Sequence, residues 1–255
     1  MLSVIKNKTF WMSLLIGLLG FCSSILLSIS DLFRYDWSVV KNVIDTNGSL
    51  LMARLISSGV YAFLFSFFSY LIGKKLYKNY QIEQKKITKE SKKELILMGI
   101  ICVIFPFILY LMDIYLYYPN ITEFVSIKFN LYNLLTTALY NGIMEELWFR
   151  YGLMSLFIFA FYKVLGKNNE KVDKKIVLMG VIFTSLLLFA FQLNEVIVLS
   201  SFSFIVLIRA ILNYLVMNLI YSYFCVNYGL KYSIIIHILF IVFYVGVYPF
   251  VFSIL

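Results

Sequence analysis

The string NGIMEELWFRYG, residues 141–152, places two adjacent carboxylates and a guanidinium inside an otherwise apolar stretch. Residues four apart share a helix face, and Glu placed N-terminal to Arg is the favourable order. Glu146 and Arg150 therefore fit as an ion pair that neutralises itself in a low dielectric. Glu145 points about 100° away on the same helix and takes no partner from that pairing. A carboxylate so placed can act as a general base on water. Asn133, Thr137, Asn141 and Glu145 step by four and form a polar stripe. Such a stripe in a membrane helix faces the bundle interior or a wet cavity. Asn133 and Thr137 read best as interhelical hydrogen-bonding residues. His237 is the single histidine, and Gln192 and Asn194 lie among aliphatic and aromatic neighbours. Arg209 is expected to snorkel to the nearer membrane face. Asn213 and Asn218 are expected to bond between helices.

Other chemistries lack their residues. Zinc wants three or four Cys, His or carboxylate ligands, and one histidine without HExxH leaves too few. There is no GxSxG, and His237 has no evident acidic orienter in the sequence. No Walker or dinucleotide glycine pattern occurs. No metal and no cofactor is expected. Paired carboxylates with a histidine nearby suit water activation for amide hydrolysis, with polar donors holding the oxyanion.

The elements that must carry these residues are membrane helices. The chain has 255 residues and a net charge of +9, and is 62% hydrophobic but only 14% charged. Soluble chains run about 45–50% apolar and about 25% charged. A soluble enzyme, a disordered tail and a disulfide scaffold are excluded. A span needs roughly 20 apolar residues, and such segments lie near 9–30, 51–73, 95–118, 131–162, 176–194, 204–226 and 233–254. None alternates with period two as barrel strands do. The expected fold is an all-α, multi-pass transmembrane bundle of about seven spans. Residues 1–130 hold spans 1–3, and residues 131–255 hold spans 4–7. The first span follows Lys6 and Lys8 and reads as a retained anchor rather than a cleaved signal. Cys22, Cys102 and Cys225 read as packing residues.

Lysines fix the direction. They crowd the N-terminus, the loop at 74–94, the segment 163–175 and the link at Lys231. Seven spans put all four on one side, so the N-terminus is expected in the cytoplasm and the C-terminus outside. The basic excess therefore reports orientation, and no nucleic-acid partner is expected. The run at 74–93 also offers a surface for anionic membrane lipid. The expected location is the cell (plasma) membrane. Depth raises a conflict. His237 lies about five residues past the inner end of span 7, roughly 8 Å deep, whereas Glu145 lies about 18 residues from the inner end of span 4, roughly 27 Å. A break near Gly152 is expected, with residues from about 154 to 165 along the cytoplasmic interface.

EELWFR resembles the first motif, EExxxR, of the CPBP family: the CAAX proteases and bacteriocin-processing enzymes, also called Abi proteins. These are all-α intramembrane proteases of glutamic type. The resemblance covers roughly residues 131–250. It implies that Glu145 is the water-activating base and that Glu146 and Arg150 are a structural pair. The family's second motif, Phe-x-x-x-His, falls on SLLLFAFQ, so Leu188 and Gln192 stand at its Phe and catalytic His. Its third motif, His-x-x-x-Asn, is met by His237, but Ile241 stands at the Asn. Gln192 can hydrogen-bond but cannot carry a proton at neutral pH.

Two functions follow from the resemblance. One is an endopeptidase that hydrolyses lipidated or membrane-associated peptides, its site formed by Glu145, Glu146, Arg150 and His237 with Gln192 at the degenerate position. The other is a weakened or inactive member that binds a peptide or a small membrane protein, in bacteriocin self-immunity or in modulation of a membrane sensor. An unrelated transporter-like bundle is a third reading, disfavoured because no symmetric halves appear. Enzymatic competence, substrate and oligomeric state are open at this stage.

Overall fold

The structure is a computed structural model that describes residues 8–32, 37–80, 89–117, 129–165, 172–200 and 203–254. Those residues form helices and no strand. In chain order they are α1 (Lys8–Leu32), α2 (Trp37–Tyr80), α3 (Lys89–Met112, wound on through Asp113–Tyr117), α4 (Leu131–Leu165), α5 (Lys174–Ser200), α6 (Phe204–Tyr228) and α7 (Leu230–Ile254). Each contains a stretch long and apolar enough to cross a bilayer, seven among the described residues. The chain is a multi-pass membrane bundle. Its outer surface is apolar, with Phe65, Phe68, Leu135 and Phe191 exposed, as hydrocarbon solvent allows.

Among the described residues, four stretches are wound as π-helix: Asp113–Tyr117, Tyr140–Met154, Ile211–Val216 and Val242–Val247. π turns are rare and often mark functional sites. The longest carries the whole EELWFR string. Small residues bring other helices against it. A Cβ on Gly142 would stand 2.7 Å from the Ile238 side chain, so α4 and α7 meet there. A Cβ on Gly152 would stand 2.9 Å from the Ser69 Cα, so α2 closes on α4.

The structure corrects two expectations. The first concerns α4, which does not break near Gly152. It runs helically from Leu131 to Leu165, and Gly152 serves close packing against Ser69. The depth conflict came from assuming that α4 and α7 begin at one level. Leu230, the first residue of α7, packs with the cluster of Met154 and Ile158 and with that of Met144 and Leu147. The stretch of α4 from Ile158 to Leu165 therefore overshoots the start of α7. Counted from Met154, Glu146 is eight residues or about 12 Å along α4; His237 is seven residues or about 10 Å along α7. They meet without a break.

The second concerns Arg209, which does not snorkel. Its guanidinium makes a paired contact with Asp113, through Nε at 2.5 Å and Nη2 at 3.2 Å. Asp113 is wholly buried. Tyr244 donates to Asp113 and accepts from Arg209 Nη2 at 3.0 Å, and the Tyr117 ring lies 4.3 Å from the guanidinium. A charge in hydrocarbon needs a partner inside the bundle, and α3 supplies it. This cluster ties α3, α6 and α7 at or beside their wide-wound stretches. On the basic segments, Lys74, Lys75, Lys92, Lys93, Lys174, Lys175 and Lys231 sit at helix ends. Lys6, Lys85, Lys86, Lys167 and Lys171 lie outside the described residues.

Candidate active site

One residue links α6 to α7. Gly229 adopts φ 96° and ψ 164°, a conformation essentially closed to residues with a Cβ. Its N–H caps α6 on the Cys225 carbonyl at 3.0 Å, and its own carbonyl accepts from Tyr232 N at 3.1 Å. The chain reverses in a single step. That reversal lays Ser233 and His237, one turn apart on α7, against Tyr221 of α6.

α4 brings Glu146 and Arg150 to the same place. Glu146 has no exposed surface. Its Oε1 accepts from His237 Nδ1 at 2.8 Å and lies 3.4 Å from Arg150 Nη1. Its Oε2 accepts from Ser233, whose Oγ also lies 2.8 Å from the Tyr221 carbonyl. The Tyr221 ring stacks on the His237 imidazole at 4.1 Å and 18°, and its face meets the Arg150 guanidinium at 5.3 Å. Arg150 Nη2 donates to Asn218 Oδ1, and Asn218 Nδ2 donates to Gln192 Oε1 at 3.2 Å. One network thus joins α4, α5, α6 and α7. Trp148 anchors the other side of α4, donating through Nε1 to Ser66 on α2 at 2.6 Å.

An ionised carboxylate only accepts hydrogen bonds. His237 therefore carries a proton on Nδ1, facing Glu146; in its neutral form the ring keeps an accepting lone pair on Nε2. Nothing along the sequence marks an acidic orienter for His237. Glu146 is that orienter, from 91 residues away. Glu145 is half-buried beside this network, on α4. Asn133 and Thr137 bond to each other, and Asn133 also accepts from Ser30 of α1 at 3.3 Å, as interhelical residues do. Among the described residues, no three His, Cys, Asp or Glu side chains converge to hold a metal.

Residues 127–243 match the family model described as type II CAAX prenyl endopeptidase Rce1-like. That match supports the assignment of this segment to the CPBP family. No curated protein and no solved structure matches it. The matched CPBP segment takes in α4 to most of α7 and every residue of the network above. Of the two departures from the CPBP motifs, Gln192 joins the network through Asn218. Ile241 does not. It is buried in the apolar cluster of Cys102, Leu109, Met217 and Phe240.

Sequence reasoning missed Ser233 and Tyr221 and assigned Asn218 only to helix contacts. Ser233 stands four before His237, and Asn218 and Tyr221 stand three apart. Those spacings share a face, but Ser, Asn and Tyr are ordinary in membrane helices. Nothing in composition marks them until α6 and α7 fold back at Gly229.

Proposed function

We propose that this CPBP-family protein is an intramembrane endopeptidase acting on lipidated or membrane-associated peptides, with Glu145 as the base. The observation that carries this reading is the full engagement of Glu146. Its two oxygens serve His237, Arg150 and Ser233 inside a sealed network. That leaves the half-buried Glu145 as the carboxylate of the pair that water and substrate can reach.

The roles follow. Glu145 takes a proton from water as the water oxygen attacks the peptide carbonyl carbon. The carbonyl electron pair moves to its oxygen and forms the oxyanion. The C–N bond then breaks, and the amine leaves with the proton from Glu145. His237, held by Glu146, presents Nε2 to the water or to the leaving amine. Basic helix ends such as Lys74, Lys75, Lys92 and Lys93 offer a surface to anionic lipid. With the lysines cytoplasmic, the site opens toward the cytoplasmic side of the plasma membrane. In this reading the first three spans brace α4, and residues 131–255 form the peptidase core.

One observation favours the second reading. Ile241 sits one turn beyond His237 in a largely apolar cluster, so the CPBP-motif amide is missing there. Losing one oxyanion donor commonly costs about 10²–10³ in rate. A member so weakened would bind a peptide or small membrane protein without efficient cleavage, as in self-immunity or sensor modulation.

The test uses the full chain in lipid nanodiscs and a farnesylated peptide with an internally quenched fluorophore. Cleavage by the wild type, lost in Glu145→Gln at unchanged melting temperature, supports the peptidase. Saturable binding without cleavage supports the second reading. Absence of both binding and cleavage overturns both.

A further inference from the structure

We infer that Gln192 presents its amide N–H₂ to a substrate carbonyl, and that Arg150 imposes this polarity through Asn218. The inference rests on the peptidase reading for its substrate, but its geometric part stands without it.

Donors and acceptors run here in a chain with one fixed end. A guanidinium has N–H donors and no acceptor. The atom of Asn218 facing Arg150 Nη2 must therefore be its carbonyl oxygen. The same amide then turns its nitrogen the other way, toward Gln192. The atom of Gln192 facing a donating nitrogen must be its own oxygen, Oε1, at 3.2 Å. Amide orientations are ordinarily ambiguous. Here both are set by the charge at the start of the chain, and Arg150 is itself held by the buried Glu146. What Gln192 has left is Nε2, with two hydrogens and no acceptor among the described residues.

A donor in that state needs an occupant. Gln192 is half-buried in a span, with Leu188 buried one turn before it and Phe191 facing outward. An amide N–H without an acceptor in such surroundings is costly. The group that meets it must accept and must be able to enter from outside the bundle. A peptide carbonyl does both. As the carbonyl becomes an oxyanion, a preset donor binds it more tightly, which is how a neutral amide aids acyl transfer. Gln192 thus stands at a histidine position of the motif and contributes electrophilic assistance there, not proton transfer. It restores in part the donor absent at Ile241.

Asn218→Asp tests this. Both oxygens of the introduced carboxylate accept, so the contact to Arg150 survives. Gln192 must then turn its N–H₂ toward that carboxylate and present Oε1 outward. The chain has three glutamines, Gln81, Gln84 and Gln192. Glutamine labelled with nitrogen-15 in nanodiscs gives few side-chain signals, and Gln192→Ala identifies the relevant one. The wild-type Gln192 amide is expected to exchange with solvent and to become protected in Asn218→Asp. Cleavage of the farnesylated peptide is expected to fall about 10²-fold with no loss of melting temperature. Gln192→Glu, which still accepts from Asn218 but has no donor, is expected to lose cleavage equally and serves if Asn218→Asp does not fold. An amide already protected in the wild type and unchanged in Asn218→Asp overturns the polarity. Undiminished cleavage in both variants overturns the role. A wild type that cleaves nothing while the amide behaves as expected supports the polarity and refutes the peptidase reading alone.

Discussion

The adjacent carboxylates of the EE pair should contribute very differently to stability, and Glu146→Gln measures the difference. The substitution keeps the side-chain shape and removes the charge. In its place stands one acceptor, where Glu146 now takes His237, Ser233 and Arg150. Arg150, 1% exposed, loses the carboxylate it pairs with on its own helix and keeps Asn218. Breaking a buried ion pair costs about 3–5 kcal/mol in soluble proteins. Interhelical hydrogen bonds in membranes average about 0.6 kcal/mol each, because the unfolded chain in lipid also finds partners. Three such bonds give a floor of about 2 kcal/mol, so the expected loss is about 2–5 kcal/mol. At about 2–4 °C per kcal/mol for a chain near this size, the melting temperature falls by about 4–20 °C. Glu145→Gln, at a half-buried position, should cost under about 1 kcal/mol. Thermal unfolding in one detergent, both variants beside the wild type, reads the contrast. Equal losses, or an unchanged Glu146→Gln, would refute the assignment of Glu146 as the structural carboxylate.

Arg209→Leu should lose about 3–5 kcal/mol by stranding Asp113, while Asp113→Leu with Arg209→Met should recover most of it; melting curves of single and double variants check this. Gly229→Ala forces a Cβ into a backbone region essentially reserved for glycine, at about 1–3 kcal/mol. It should also blunt any Glu145-dependent cleavage, since the turn sets Ser233 and His237; a melting temperature within about 1 °C of wild type, by the conversion above, would count against that role. Tyr221→Phe removes a buried hydroxyl with no hydrogen-bond partner among the described residues while keeping the ring on His237. Its stability should hold or rise by up to about 1 kcal/mol, and a clear drop in melting temperature would expose a partner for that oxygen.

The seven spans were legible because hydrocarbon imposes length and composition directly, and hydropathy reads both. The EExxxR string was legible because charge in a span is rare enough to stand out. Two kinds of feature were not. The first is depth. Helix ends inferred from lysines were taken as one plane, and the overhang of α4 past Leu230 is set by packing at Met154 and Ile158. The second is partnership across long separations. Asp113 is 96 residues from Arg209, and Glu146 is 91 from His237. Arg209 and His237 each look solitary along the chain, so the sequence points Arg209 to the surface and gives His237 no orienter. Both pairings join different helices, which a face count along one helix cannot see.

The two departures from the CPBP motifs have unequal weight, and the structure gives the reason. A position is easily emptied of polarity where its neighbours are apolar, and Ile241 packs with Cys102, Leu109 and Phe240. An Asn there would put an amide among mostly apolar side chains, and an amide left without a hydrogen bond costs about 1–3 kcal/mol. Restoring the motif at 241 alone therefore asks the fold to give up stability. Gln192 lies at the end of a bonded chain that begins on a buried charge. Its oxygen is held, and its N–H₂ meets no acceptor among the described residues. An amide used only to join helices would gain nothing from an unmet donor in a span. The network that holds Glu146 thus also orients Gln192, so the chain keeps a directed polar group at 192 while 241 has become packing.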